Sequence, residues 1–221
     1  MAGIGLRERK KRQMYQDVSD IAIGLFLAKG FDAVSVAEVA AAAGISKPTL
    51  FRYFPSKEDL VLHRFADHED EAARVVRTAV PGASPIGALR RHFLDGLTRE
   101  DPVTGLSAHP QVLAFHRLLY GTPSLVARAY EYQQRSEAAL AGALGDTLAA
   151  RLAAGQIIAV QRILAQENWR RIAAGEAVEA VREDAVAAAE GAFGQLEAVL
   201  PRLGAERAGG NVAGGSSGKT R

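Results

Sequence analysis

The sequence predicts an all-α fold in two unequal parts, an N-terminal three-helix unit and a larger helical body. Three observations carry that expectation. Apolar residues recur three and four positions apart through most of the 221 residues, the spacing that lines one face of a helix. Serines that can cap a helix, Ser35, Ser46, Ser56 and Ser84, stand directly ahead of such stretches, and glycine or proline interrupts the chain between them. No strand signal and no internal repeat competes with this pattern.

Composition narrows the class. Hydrophobic content of 48% with 24% charged residues is that of an ordinary soluble globular chain. With no cysteine, disulfides, thiolate zinc sites and cysteine nucleophiles are excluded together, and a reducing, cytoplasmic location fits. The N-terminus lacks the apolar core of a signal peptide, and no uninterrupted apolar run approaches the ~20 residues of a membrane span, so no membrane partner is expected. Net charge is +2 but unevenly placed: residues 1–57 carry nine Lys/Arg against five Asp/Glu, leaving −2 for the remainder. A basic end on a mildly acidic body suits nucleic-acid binding, although random clustering of solvated charge explains the imbalance as readily.

The first helix is expected over Arg7–Lys29, with Met14, Val18, Ile21 and Leu25 as its stripe. Its opening run, Arg7-Glu8-Arg9-Lys10-Lys11-Arg12, is too polar to pack and reads as a projecting arm, either solvated or set against phosphates. Gly30 stops the helix, since positive φ costs glycine nothing. Ser35 and Glu38 form a capping box for a second helix whose inner face is Val36, Val39, Ala40 and Ala43. Gly44 supplies the turn, Ile45 plugs beneath it, and Ser46 caps a third helix with Pro48 in its first turn. At about 100° per residue, Leu50 and Phe54 fall inward with Phe51 at the edge, while Pro48, Thr49, Arg52 and Tyr53 fall outward. That outer face suits phosphates and base edges, with Lys47 able to reach the groove beside Thr49. Ser56 and Asp59 box the start of the next helix, and Lys57 in its first turn reads as a phosphate clamp.

The run from Gly30 to Leu60, above all AGISKPTLFRYFPSKEDL, resembles the DNA-binding domain of the TetR/AcrR family of bacterial transcriptional regulators. The likeness covers roughly residues 10–65, and the combined motif is specific: helix-turn-helix, aromatic pair, then Ser-Lys-Glu opening helix four. It implies that Lys47, Pro48 and Thr49 meet base edges and that Phe51, Arg52, Tyr53 and Lys57 stand where the family grips phosphates. Many members carry tyrosine at the position of Phe51, whose missing hydroxyl shifts that anchoring to Arg52, Tyr53 and Lys57.

Beyond Leu60 the resemblance is one of layout. Helix four is expected from Leu60 to about Thr78, joining reader to body, with the acidic run from Asp67 to Glu71 as a solvated face. His63 and Asp67 are too few ligands for a metal site. Pro81-Gly82-Ala83-Ser84-Pro85 marks a boundary, followed by a helix with Ile86, Leu89, Phe93 and Leu97 on one stripe. A short helix from about His109 and a longer one from Pro123 to about Leu144 follow. Two long helices close the body. One runs over about 146–174, with Leu152, Ile157, Ile158, Leu164, Trp169 and Ile172 apolar. The other runs over about 176–203, with Val181, Ala185, Ala188, Ala192, Leu196 and Val199. The resemblance implies that this pair forms a homodimer; the bland alternative is that both helices only complete the monomer core.

The organisation expected is therefore residues 1–58 as the DNA-binding unit with its basic arm, 59–203 as the effector-binding and dimerisation body, and 204–221 as a Gly/Ser-rich disordered tail. No nucleophile pattern, nucleotide loop or metal-ligand run appears, so neither catalysis, cofactor nor metal is expected. The family layout places an effector pocket among the middle helices, and Phe93, His116, Tyr120, Tyr130, Gln134, Gln161, Asn168 and Trp169 are its candidate lining. Aromatic walls with a few polar groups suit a small apolar or amphipathic molecule, although such residues are more often plain core. The function this implies is a homodimeric, ligand-responsive repressor on a palindromic double-stranded DNA operator, with helix four carrying the state of the body to the readers. The alternatives are a helical small-molecule-binding or enzymatic protein with a degenerate DNA-binding end, and a DNA-binding activator or architectural factor.

Overall fold

The structure, a computed structural model, describes residues 5–66 and 68–200. Among them lie ten α-helices and one short 3-10 turn, with no strand. The reading head is α1 (Leu6–Lys29), α2 (Val36–Ala42) and α3 (Lys47–Tyr53). Gly30 ends α1 at φ 91°, in the left-handed region open to glycine. Ser35 Oγ accepts the Glu38 N–H at 3.1 Å and Ser46 Oγ accepts the Thr49 N–H at 3.2 Å, so both helices start where the serines place them. Between them Gly44, at φ 66°, turns the chain. Val18, Ala22 and Phe26 of α1 close on Phe31, Val34, Val39, Ala40, Leu50 and Phe54 as the core of the unit.

α4 (Asp59–Ala66) leaves the reading head, and its Leu60, Val61 and Leu62 belong to the same core. The expectation of one helix from Leu60 to Thr78 is corrected here. α4 ends at Ala66, a turn occupies 68–70, and α5 is Glu71–Thr78. The acidic run is not a bare solvated face either. Glu69 pairs with Arg135 at 2.8 Å, Asp70 with Arg74 at 3.0 Å, and half-buried Glu71 with two histidines. Asp67, and with it the His63–Asp67 pair, lies outside the described residues.

The body is α6 (Pro85–Thr98), the 3-10 turn Pro102–Thr104, α7 (Pro110–Gly121), α8 (Pro123–Leu144), α9 (Leu148–Ala173) and α10 (Val178–Val199). α9 packs between α8 and α10, α10 on α6, and α5 on α8. Phe93, Leu97, Leu106, Leu140, Ile157 and Phe193 are at the centre of this second core.

The basic run, residues 7–12, forms the opening turns of α1, which begins at Leu6, one residue before the expected start; the side chains of Arg7, Glu8 and Arg12 lie outside the described residues. Two further expectations change. The inward stripe of α10 is Val181, Ala185, Ala189, Phe193 and Leu196, whereas Ala188 and Val199 are exposed. Leu152 of α9 is 59% exposed and does not pack in the monomer. By length and overall composition α9 alone among the described helices could cross a membrane, yet its apolar runs are interrupted by Arg151, Gln156, Gln161, Arg162 and Gln166, as the sequence reading has it, and it is packed against its neighbours. The expected tail, 204–221, lies outside the described residues.

Candidate nucleic-acid interface and the cavity behind it

The third helix is anchored from inside by fully buried Leu50, followed by Phe54 at 2% exposure. With those two held, the 3.6-residue period turns Lys47, Pro48 and Arg52 out to solvent. Thr49 is half-buried, and its hydroxyl lies 2.8 Å from Ser46 Oγ, part of the cap. Phe51 is 41% exposed, with the Lys47 ammonium 5.9 Å from its ring centre. No acidic residue lies on α3. The helix thus presents two cations, a proline and an apolar ring without a competing carboxylate.

Two expected contacts are placed differently. Tyr53 is half-buried, edge-on to Tyr15 at 5.2 Å, with the Arg52 guanidinium 5.0 Å above its ring and donating to its hydroxyl at 3.3 Å. Tyr53 therefore braces Arg52 as well as facing outward. Lys57 lies in the turn before α4 instead of its first turn, donates to the Phe31 carbonyl oxygen and sits 4.3 Å over the Phe31 ring. It is a fixed cation that also stitches the α1–α2 loop to the start of α4.

The residue that fixes this assembly to the body is Asp59, 4% exposed. Its carboxylate accepts from the Ser56 N–H at 3.0 Å and hydroxyl at 2.8 Å, while Ser56 Oγ accepts the Asp59 N–H at 3.2 Å, a complete capping box. The same carboxylate takes a two-pronged pair from Arg128, Nε at 2.9 Å and Nη2 at 3.0 Å, and the Tyr132 hydroxyl at 3.2 Å. Burial alone would raise its pKa, yet the hydrogen bonds from Arg128, Ser56 and Tyr132 hold it below the ordinary value. Burial, reinforced by the charge of Asp59, pushes the Tyr132 phenol up to about 12. Arg128 and Tyr132 were not among the candidates read from sequence.

Behind the reader is a cavity of about 680 Å³. Of the candidate lining residues, Phe93, His116, Tyr120, Tyr130, Gln161 and Trp169 border it. Gln134 and Asn168 do not: Gln134 is exposed, and buried Asn168 donates from Nδ2 to the Thr104 carbonyl oxygen at 2.9 Å. His116, Tyr120 and Trp169 form an aromatic corner, with Tyr120 and Trp169 centred 4.9 Å apart and His116 and Trp169 5.7 Å. His116 Nδ1 and Trp169 Nε1 are buried there without a hydrogen-bond partner. Burial lowers the His116 pKa to about 4, so its ring is neutral at neutral pH. A neutral aromatic corner with unsatisfied ring nitrogens accommodates an apolar molecule that brings its own hydrogen-bonding group.

The cavity's other end is polar. Glu71 meets His68 Nδ1 at 2.7 Å and His92 Nε2 at 3.1 Å, which joins α5 to α6. The hydrogen bonds from His68, then His92, depress the Glu71 pKa well below its usual 4.5, and the bond to Glu71 raises that of His92 above 6.5 despite burial. The His92 contribution to stability is fully present below pH 6.5 and fades as pH rises through its raised folded value; that of Glu71 is present above 4.5 and fades on acidification. Thermal unfolding should therefore show a midpoint that falls from pH 6 toward alkaline pH, less so in His92→Gln. His92 is 38% exposed, so the difference should be under about 1 kcal/mol. An identical pH profile in the variant would refute the link.

Comparison with known proteins agrees with this architecture. The profile of the tetR family of bacterial regulatory proteins matches residues 20–63. The HTH-type transcriptional regulator TcmR of Streptomyces glaucescens is 32% identical over 151 residues, 67% of this chain and 65% of that protein. YuxN, an uncharacterised HTH-type transcriptional regulator of Bacillus subtilis, is 36% identical over 77 residues, 34% of this chain and 26% of that one. The chain thus matches just under two thirds of TcmR and about a quarter of YuxN. Among solved structures, a TetR-family transcriptional regulator from Mesorhizobium loti superposes with TM-score 0.52 at 20% identity, covering 85% of this chain and 96% of the other. NalD of Pseudomonas aeruginosa, the secondary repressor of the MexAB-OprM multidrug efflux pump, gives 0.50 at 14% identity, covering 85% and 95%. These two likenesses concern fold alone. With the capped helix-turn-helix, the helical body and the relatives in agreement, the helix-turn-helix unit at residues 20–63 belongs to the tetR family of bacterial regulatory proteins, and the chain around it is similar to regulators of that family.

Proposed function

We propose that this protein is a cytoplasmic, homodimeric transcriptional repressor that binds a palindromic operator and is released by a small apolar or amphipathic effector held in the cavity. The observation that carries the reading is the outward face of α3: Lys47, Pro48 and Arg52 exposed on a helix fixed from within by Leu50 and free of acids. Lys47, Pro48 and Thr49 are assigned to base edges; Arg52, Lys57 and the rings of Phe51 and Tyr53 to the phosphate backbone. The organisation into 1–58 as reader and 59–203 as body is part of the same proposal, with the α4 core residues Leu60 to Leu62 as the join.

Dimerisation is assigned to α9 and α10. Leu148, Leu152 and Ile163 are 72%, 59% and 55% exposed and fall within about 60° of one another around α9. Val186 of α10 is 37% exposed. Apolar side chains aligned on one unpacked face favour a second copy over water. A regulatory role in place of catalysis is supported by the relatives' names as transcriptional regulators.

The test is selection of genomic DNA fragments by the purified protein, followed by affinity measurements on the winner. The bound fragment should hold inverted half-sites about 34 Å apart. Arg52→Ala should weaken binding to every sequence and reduce the slope of log affinity against log salt by about 1. Lys47→Ala should instead change the preferred half-site. Failure to enrich any fragment, or equal losses for both variants on all sequences with an unchanged salt slope, would overturn the assignment.

A further inference from the structure

The body's link to the reader is not a continuous rod. α4 stops at Ala66, and α5 restarts at Glu71 beyond a turn. What does bridge the two parts is a seam of side chains. Phe115 and Leu119 of α7 and Ala129 of α8 pack into the core that contains Phe26, Leu50 and Phe54 of the reader. Phe115, Leu119 and Ala129 also line the cavity. An occupant would therefore touch the side chains that seat the reading head, with no intervening layer.

The reader also supplies part of the cavity itself. Gln13, Gln16, Ser19 and Asp20 of α1 border it, Gln13, Gln16 and Asp20 on the exposed side and Ser19 buried. Ser19 spends its hydroxyl on the Leu60 carbonyl oxygen at 2.7 Å, which ties that stretch of α1 to α4. The α1 rim is polar, and the corner formed by His116, Tyr120 and Trp169 is aromatic. An amphipathic molecule with its apolar end in that corner has its polar end directed to the rim.

We infer that the occupant acts on the reading head directly, by bearing on α1 and on the α1–α7–α8 seam, so that α1 is part of the effector site as well as of the DNA-binding unit. This rests on the reading of the cavity as the regulatory site. An occupant of this kind needs no rigid lever through α4. It changes the seat of the reader, and by linkage operator binding must tighten the seam against the occupant by the same factor.

The experiment uses the full-length chain and the operator fragment recovered by selection, and fills the cavity with side chains so that no effector is needed. Gln16→Trp places an indole at the α1 rim, and Gln161→Trp places one from α9; Leu27→Trp is a control on α1, 44% exposed and outside the cavity. Both cavity variants should lose about tenfold or more in operator affinity, the usual scale of such coupling, and the control should bind as the parent does. Loss with Gln161→Trp alone leaves the cavity as the switch and overturns the role of α1. Loss with Gln16→Trp alone, or with Leu27→Trp as well, is local disturbance of α1 and also overturns it. Loss with neither removes the regulatory reading of the cavity altogether. Hydrogen exchange in Gln161→Trp gives a measure independent of whether Gln16→Trp folds: amides of residues 14–20 should exchange faster than in the parent, and unchanged rates overturn the inference.

Discussion

Asp59→Ala is expected to cost about 3–5 kcal/mol of stability, because it strips the counter-charge from a partly buried guanidinium. Asp59 is 5% exposed at its side chain and Arg128 27%, so their pair is shielded from the screening that makes surface ion pairs weak. The loss has three parts. Arg128 keeps only its exposed partner Glu131. The buried Tyr132 hydroxyl loses its acceptor. The Ser56 box opens, and a lost helix cap alone is worth about 1 kcal/mol. Replacing both members, Asp59→Leu with Arg128→Met, should recover a substantial part, since the largest cost is an uncompensated charge and not a missing attraction. Urea unfolding of the two single variants and the double variant supplies the cycle; strictly additive losses would show that the pair is not coupled.

The same pair has a pH signature of definite sign. The folded Asp59 has a pKa below its ordinary 3.8, so its contribution is present above that value and disappears as pH falls through the folded one. Acid unfolding of the parent should therefore be steeper than that of the double variant. Reader and body are joined at this point by residues 69 positions apart, and loss of the pair loosens the start of α4 on which Lys57 is held.

That separation explains what could be read in the sequence. Caps and turns are local: Ser35, Ser46, Ser56 and the glycines at 30 and 44 act within three or four residues, and each is where the pattern puts it. The apolar stripe of α6 is equally legible, because Ile86, Leu89, Phe93 and Leu97 all face one dense core. Asp59 was legible as a cap and opaque as a latch, since nothing in a window around it points to Arg128. The α4–α5 break was hidden because no proline or glycine stands between the two helices; the pairs that accompany it are distant in sequence, Glu69 with Arg135 of α8 and Glu71, at the start of α5, with His92 of α6. In α10 many alanines make several stripes equivalent, and only the packing of Phe193 against Phe93, ring centres 5.9 Å apart, selects one. Gln134 and Asn168 missed the cavity for a related reason: the rotation of α8 and α9 about their own axes is set by neighbours, which leaves Gln134 in solvent and spends Asn168 on the 3-10 turn.

The turn held by Asn168 is the site of the second large effect. Gly105→Ala is expected to destabilise the protein by about 3 kcal/mol or more, with the cavity wall opened as well. Gly105 closes the 3-10 turn at φ 74°, donating its N–H to the Pro102 carbonyl oxygen at 3.0 Å. A side chain in that left-handed conformation costs about 1–2 kcal/mol wherever it occurs. Here a Cβ would also stand 1.9 Å from the Ala165 carbonyl oxygen and 3.0 Å from the Trp169 nitrogen, both backbone atoms of α9. No rotamer change relieves such a contact, so the turn must lift off the helix, stretching the Asn168–Thr104 bond, and overpacking of this kind adds about 1–3 kcal/mol. Gly82→Ala separates the two contributions: its φ is 83°, but nothing lies within 4 Å of a Cβ there, so it should show only the conformational part. Because Trp169 is the single tryptophan and borders the same cavity, its emission should shift to longer wavelength in Gly105→Ala as water reaches the indole. Equal losses in the two variants, with unshifted emission, would mean that α9 yields without strain and that the turn is not clamped to it.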